Sequence, residues 1–118
     1  MWTYQQSTGQ LRQNGRIVAT GYSGTGMGRN NPGAQKLRNV GPIPRGRYTI
    51  GRAHNTASHG PHVMDVTPNG PIVPGRDGAF LIHGDNLRHD ASTGCVILPR
   101  SVRDQISHSG DNQLEVVR

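Results

Sequence analysis

A chain of 118 residues and 12.7 kDa suits one domain over residues 1–118, which can bury a modest core without metal or disulfide staples. Hydrophobic residues make up 31% of the chain, and no apolar stretch reaches the 18 or more residues that span a bilayer, which argues against a membrane span. The 13 Lys and Arg against 7 Asp and Glu give a formal charge of +6, which favours an acidic polymer as partner, although scattered arginines also suit a solvated basic surface.

The glycine and proline content predicts short strands and frequent turns. With 17 Gly and 8 Pro, the chain suits an α+β domain that is mainly β. Turn sequences at residues 7–9 and at Asn14-Gly15 separate β-prone segments and predict two hairpins at the start of the chain. Residues 21–33 are too rich in glycine for a core element and predict a loop, and residues 34–38 predict a short helical turn.

The second half of the chain predicts further strands and one C-terminal helix. Apolar or alternating runs predict strands at residues 47–50, 62–67, 79–82 and 113–117. The third of these strands ends just before His83. Val102 and Ile106 lie four residues apart on one face of the predicted helix, with Pro99 suited to its first turn and Gly110 to its end.

The only cysteine, Cys95, follows Gly94, and His83 lies twelve residues before it. A lone cysteine excludes an intramolecular disulfide and leaves a free thiol. A cysteine attacks carbonyls as the thiolate, and an imidazole can take its proton and return it to a leaving amine. The N–H groups of Gly94 and Cys95 would then stabilise the oxyanion of a tetrahedral intermediate. Ser92 would either bond within the turn or orient the imidazole, which a backbone carbonyl could also orient. Taken alone, the pair favours a buried structural cysteine and a turn histidine over a catalytic pair.

The sequence around this pair resembles a known signature. HGDN followed by STGCV resembles the His-Gly and Ser/Thr-x-Gly-Cys motif of L,D-transpeptidases. The wider chain resembles the small L,D-transpeptidase-related effectors of type VI secretion in WTYQQSTGQL, NGRIVATGYSG, NNPGAQ, GPIPRGRYTIG, FLIHGDN and ASTGCVILPRSVRDQI. The resemblance implies an L,D-transpeptidase-like domain in which Cys95 is the nucleophile and His83 its base, with Ser92 and Gly94 in the same motif.

The resemblance also implies a substrate and a place of action. The substrate would be the tetrapeptide stem of peptidoglycan, and Cys95 would form a thioester acyl-enzyme without a metal or cofactor. Hydrolysis of the thioester by water would give L,D-carboxypeptidase activity. Attack on the thioester by a free D-amino acid would give exchange of the terminal residue. The chain would be an antibacterial toxin acting in the periplasm of the target cell, with an immunity protein and a secretion-machinery component as partners. MWTYQQSTGQ lacks the basic start and apolar middle of a secretory signal, which suits delivery by another machine.

The sequence departs from the broader transpeptidase pattern at several points. The histidine-to-serine spacing is short, Thr93 stands where many relatives have histidine, and Ile97 stands where an arginine often lies. Arg100 or Arg103 are candidates to replace that arginine, and the glycine-rich loop with Asn30 and Asn31 is a candidate cover for the groove. The full set of candidate substrate-binding residues is Tyr22, Ser23, Arg76, Asp85, Asn86, Arg88, Thr93, Arg100 and Arg103.

Two alternative functions remain at this point. His54, His59 and His62 have spacings that could hold zinc with His83 as a further ligand, although residues 54–62 are predicted to be a loop. A basic module that binds cell wall or nucleic acid without catalysis is the other alternative. Nucleic acid is the weaker partner, because 1 Trp, 1 Phe and 3 Tyr provide no stacking platform.

Overall fold

The computed structural model describes residues 1–76 and 79–118, and in this part of the chain nine strands form one sheet. The strands are β1 (Trp2–Gln5), β2 (Gln10–Gln13), β3 (Arg16–Thr20), β4 (Tyr22–Ser23), β5 (Gly46–Thr56), β6 (Gly60–Pro68), β7 (Phe80–His83), β8 (Val96–Ile97) and β9 (Gln113–Val117). One α-helix, α1 (Arg100–His108), and the 3₁₀ turns Gly26–Gly28 and Pro32–Ala34 accompany them. The prediction of a mainly β domain with one C-terminal helix is confirmed.

The order of the strands brings the two ends of the sheet together. The order is β3-β2-β1-β9-β5-β6-β7-β8-β4, and only the pairs β1/β9 and β7/β8 are parallel. The strands at the two ends of this order, β3 and β4, are separated in the chain by Gly21 alone. The sheet therefore curls into a nearly closed barrel.

Gly21 passes so close to neighbouring backbone that a side chain would not fit there. A Cβ at this position would lie 1.9 Å from the carbonyl oxygen of Ile97, the last residue of β8. Its N–H donates to the carbonyl of Gly9 at 2.8 Å, and a Cβ at Gly9 would lie 2.0 Å from the Gly21 oxygen. Closure of the sheet depends on these close backbone contacts.

The core fills the inside of this curved sheet, and α1 packs one face against it. Its buried apolar residues include Trp2, Tyr4, Leu11, Ile43, Tyr48, Met64, Val66, Ile82, Val96, Leu98, Val102, Ile106, Leu114 and Val116. Val102 and Ile106 are buried as their helical spacing predicts. No helix among the residues that the structure describes has the length and apolar character needed to cross a membrane.

Several local predictions are confirmed. Asn14 and Gly15 have φ of 51° and 85°, as a type I′ turn requires between β2 and β3. The final strand covers Gln113–Val117 as predicted. The helix begins after Pro99, and Gly110, with φ of 73°, follows the C-cap residue Ser109.

Three local predictions are wrong. The short helical turn expected at 34–38 is replaced by the 3₁₀ turn Pro32–Ala34, where Pro32 fixes φ and the Asn31 side chain caps the Gly33 N–H. Tyr22 and Ser23, expected in a loop, form β4 because they pair with the distant β8. Residues 54–62, also expected as a loop, form the end of the β5–β6 hairpin, where bulges obscure the alternating pattern.

We expect replacement of Gly21 by alanine to destabilise the protein strongly. The added methyl group would overlap backbone that cannot move without opening the sheet, so the free energy of unfolding should fall by about 1–3 kcal/mol or more. Urea denaturation measures this change. Gly70→Ala is the matched control, because a Cβ there meets open space and should change stability by no more than about 0.5 kcal/mol. Equal stability of the two variants would contradict the role assigned to Gly21.

Candidate active site

The parallel pairing of β7 with β8 places Cys95 and His83 on one face of the sheet. Ile82 pairs with Val96, and both side chains lie in the core. Cys95 therefore lies beside Leu81 on the opposite face, and His83, two residues after Leu81, shares that face. A strand spacing of about 4.8 Å and a rise of about 3.3 Å per residue separate the two Cα atoms by about 8 Å.

The His83 ring is held in one tautomer by a backbone carbonyl. Its Nδ1 lies 2.8 Å from the carbonyl oxygen of Gly84, which can only accept, so Nδ1 carries the proton. Its Nε2 is buried and has no hydrogen-bond partner among the residues that the structure describes. This atom is therefore a free base, and no hydrogen bond joins it to the Cys95 sulfur in the resting structure.

Burial keeps the His83 imidazole neutral. Burial is the largest effect on the pKa of His83 and lowers it. The neighbouring charges of His59 and Arg103 also lower this pKa, the hydrogen bond to Gly84 raises it, and the net change is a decrease. The His59 ring, at the tip of the β5–β6 hairpin, lies 4.7 Å from the His83 ring between centroids. The hairpin tip thus covers the face on which the base lies.

The Cys95 side chain is a neutral thiol at rest. Burial raises its pKa above the ordinary value, although the Leu81 N–H that bonds the sulfur and the charge of Arg76 act in the opposite direction. Because the pKa of His83 is lowered and that of Cys95 is raised, the pair rests as thiol and imidazole. A reaction at this sulfur would therefore require the thiolate to form as the proton is transferred.

Ser92 fixes the turn that carries Cys95. Its buried hydroxyl donates to the Cys95 carbonyl at 2.6 Å and accepts from the N–H groups of Gly24 and Gly94 at 2.9 and 3.1 Å. The sequence left open whether Ser92 bonds within the turn or orients the imidazole. In the structure Ser92 bonds within the turn, and the Gly84 carbonyl orients the His83 imidazole. The Gly94 N–H is already bonded to Ser92, so of the two predicted oxyanion donors the Cys95 N–H is the remaining candidate.

Three adjoining cavities form a groove between the two side chains. A cavity of about 190 Å³ is lined by Arg38, Asn39, Arg76, Ala79, Phe80, Thr93, Gly94 and Cys95. The next, of about 500 Å³, shares Ala79 and Phe80 with it and continues to Leu81 and His59. The third, of about 410 Å³, shares His59 and contains His83, Gly84, Asp85 and Asn86. Cys95 and His83 therefore lie in different cavities of one groove.

Tyr22 and Asp85, both predicted to bind substrate, bond to each other instead. The Tyr22 hydroxyl donates to Asp85 Oδ1 at 2.5 Å and accepts from the Ala91 N–H at 2.9 Å, while the Arg29 guanidinium lies 3.8 Å above its ring. Burial and the Asp85 bond raise the pKa of Tyr22 to about 12. Partial burial raises the pKa of Asp85, but hydrogen bonds from Tyr22 and His89 bring it below its usual value. The cluster fixes the loop between His83 and Cys95.

Most other candidates for substrate binding also support loops. The Ser23 hydroxyl donates to the Gly94 carbonyl at 3.3 Å and accepts from the Ile43 N–H at 2.8 Å. Asn30 bonds the Ser23 N–H at 3.2 Å through Oδ1, and Asn86 bonds Asp90 and the Arg88 N–H within its own loop. These residues stabilise the walls of the groove.

The candidate arginines separate into different environments. Arg100 lies on the exposed side of α1 and bonds Asp104 at 2.9 Å. Arg103 is buried and donates to the carbonyls of Leu98, Pro61 and His62, so it has a structural role. Arg88 is exposed in the loop after Asn86. Of the predicted binding residues, Arg76 and Thr93 line the cavity that contains Cys95.

The histidines of the zinc alternative face different partners. His54 lies 3.4 Å from Asp65, His62 bonds Ser107 at 2.9 Å, and His59 packs on His83. Within residues 1–76 and 79–118 the structure shows no group of three or more His, Cys, Asp or Glu side chains arranged around a metal position. His54 lies in β5, His59 at the tip of the β5–β6 hairpin and His62 in β6.

Two further contributors to the site were predicted from the sequence in other roles. Arg103 presses against Gly84, where a Cβ would lie 2.7 Å from Nη2, and so helps to fix the carbonyl that orients His83. His59 reaches His83 from the hairpin tip. Neither contact leaves a local signal, because both join segments that are far apart in the sequence.

Comparison with known proteins identifies the family. The comparison with curated proteins found no match. Residues 17–117 match the family model of the Tlde1 domain, which describes a family of type VI secretion effector domains. The match includes His83, Ser92, Gly94 and Cys95, and it covers most of the chain. The chain therefore belongs to the Tlde1 domain family.

Proposed function

We propose that this chain is an antibacterial effector that uses Cys95 to remove or exchange the terminal residue of peptidoglycan tetrapeptide stems. Membership of the Tlde1 domain family supports secretion, action in a target cell and a cognate immunity partner. The resemblance of HGDN and STGCV to the L,D-transpeptidase signature supports the reaction and the substrate. The charge of +6 suits the anionic cell wall.

The observation that carries this proposal is the state of His83. A buried imidazole with Nδ1 bonded to a carbonyl and Nε2 without a partner is arranged as a proton acceptor. It lies on the same face as the only thiol in the chain, one strand away. A purely structural histidine would be expected to satisfy both ring nitrogens, because an unsatisfied buried polar atom costs about 1–3 kcal/mol.

In the first half of the reaction the Cys95 sulfur attacks the carbonyl before the terminal D-alanine. A carbon–sulfur bond forms, the thiol proton passes to His83 Nε2, and the Cys95 N–H donates to the oxyanion. Collapse of the intermediate breaks the carbon–nitrogen bond, and His83 returns the proton to the leaving amine. Substrate in the groove must bring the two side chains into contact, since they do not bond at rest.

In the second half His83 Nε2 acts again as the base. It takes a proton from water, or from the amine of a D-amino acid, as that group attacks the thioester. The carbon–sulfur bond breaks and the proton returns to the sulfur. Water gives a tripeptide and a free thiol, while a D-amino acid gives an exchanged tetrapeptide. Both products deprive the target cell of normal donor stems.

We expect Cys95→Ala to abolish D-alanine release from a purified tetrapeptide, because the variant has no nucleophile. Mass spectrometry should also detect no acyl adduct on the variant under conditions that trap one on the wild type. Thermal unfolding checks that the fold survives. Retained turnover in a folded variant would refute the proposed reaction.

The pH dependence of kcat/KM should reveal a neutral base with a lowered pKa. Burial lowers the pKa of His83, so activity should persist below the ordinary imidazole pKa of about 6.5 and be lost as pH falls through the lower value. His83→Gln should reduce kcat/KM by about 10²–10⁴-fold and remove this acid limb. His108→Ala, on the exposed side of α1, is the control and should keep the wild-type profile. An acid limb that survives in His83→Gln would assign the base elsewhere.

Toxicity should require export to the periplasm, because assembled stems are met there. The test expresses the chain with and without an added signal peptide in a Gram-negative host and analyses the isolated sacculi. Tetrapeptides should be converted to tripeptides or exchanged stems only in cells that export the chain. Exported Cys95→Ala is the control and should leave the stems unchanged. Equal toxicity of the cytoplasmic form with unchanged stems would point to an intracellular target.

A further inference from the structure

Arg76 is a buried cation whose hydrogen bonds to the described residues all go to neutral carbonyls. Its side chain is 8% exposed. Nη1 donates to the carbonyls of Gln35 and Pro42 at 2.7 and 3.1 Å, and Nη2 lies 3.5 Å from the Gly41 carbonyl. No carboxylate in residues 1–76 and 79–118 forms an ion pair with it. A buried charge is normally paired, because desolvation of an unpaired ion is costly.

The guanidinium lies directly against the turn that presents the nucleophile. A Cβ at Gly94 would lie 2.7 Å from Arg76 Nη2. Arg76 and Cys95 line the same cavity of about 190 Å³. The positive charge of Arg76 also lowers the pKa of Cys95 and so offsets part of the increase that burial causes. An anion in this cavity would therefore meet both the charge and the reacting atom.

The contacts of Arg76 with residues 1–76 and 79–118 use only part of its donors. A guanidinium has five N–H donors, and the three carbonyl contacts in this part of the chain use three of them. A carboxylate matches such donors in charge and in planar geometry. At about 190 Å³, this cavity is the smallest of the three that form the groove, so the group held nearest Arg76 should be small.

We propose that Arg76 binds the free C-terminal carboxylate of the stem peptide and so restricts the enzyme to terminal residues. This inference rests on the proposed function of the same site. The carboxylate of the terminal D-alanine lies one residue beyond the scissile carbonyl, a span of no more than about 3.6 Å along the chain. A peptide held by this carboxylate would place its scissile carbonyl beside Cys95.

The same contact accounts for the choice of acceptor in exchange. An incoming D-amino acid carries the carboxylate that the departing D-alanine had, so Arg76 would orient its amine toward the thioester. An amine without a carboxylate would lack this contact. The site would thus select the leaving group and the acceptor by one chemical feature.

The test compares a tetrapeptide with the same tetrapeptide carrying a C-terminal carboxamide. The wild type should cleave the acid with a kcat/KM about 10–100-fold higher than the amide, the range expected from loss of a charge-assisted contact. Arg76→Gln should bring this ratio close to one, mainly by slowing cleavage of the acid. Arg47→Gln removes an equal charge from exposed β5, where Arg47 lies 3.7 Å from Glu115, and should keep the wild-type ratio.

The outcomes separate this inference from the proposed function. Equal cleavage of acid and amide by the wild type would leave the function standing and overturn the role of Arg76. Cleavage of neither peptide, with no acyl adduct on Cys95, would refute the proposed function and with it this inference. A wild-type ratio near one overturns the inference without any variant, and a ratio that stays at the wild-type value in folded Arg76→Gln would assign the contact to another residue and overturn it as well.

Discussion

The site depends on a short parallel pairing between β7 and β8. This pairing fixes the register in which Ile82 and Val96 enter the core, and it thereby turns Cys95 and His83 to the other face of the sheet. A shift of one residue in either strand would bury the cysteine and expose a core side chain. Because β4 pairs with β8 from the other side, and Gly21 joins β4 to β3, closure of the whole sheet stabilises a strand of two residues.

The electrostatic state of the pair follows from burial more than from charged neighbours. Desolvation acts on both groups in favour of their neutral forms, lowering the pKa of His83 and raising that of Cys95. A resting ion pair of thiolate and imidazolium is therefore disfavoured. For the proposed reaction this favours general-base catalysis, in which the proton would move as the sulfur attacks and the ordered imidazole beside Gly84 would accept it.

The sequence predicted the elements better than their partners. The Asn14-Gly15 turn, the last strand and the helix carry local signals, and each was predicted within a few residues. The pairing of β4 with β8 and the parallel pairing of β1 with β9 join distant segments, so no local pattern reveals them. In the site, the motif singled out Cys95 and His83, which the structure brings to one face of the sheet, whereas Tyr22, Ser23 and Asp85, predicted to bind substrate, bond to other groups of the protein. In the sequence, a polar residue near a motif has the same pattern whether it binds substrate or supports a loop.

Both glycines of the motif lie against buried arginines. Gly84 follows His83, Gly94 precedes Cys95, and at each a Cβ would lie 2.7 Å from a guanidinium nitrogen, of Arg103 and of Arg76 respectively. Gly94 also has a φ of 137°, which favours glycine. The net charge of +6 is therefore not only a surface property. Both cations donate to backbone carbonyls, but Arg76 also lines the cavity that contains Cys95.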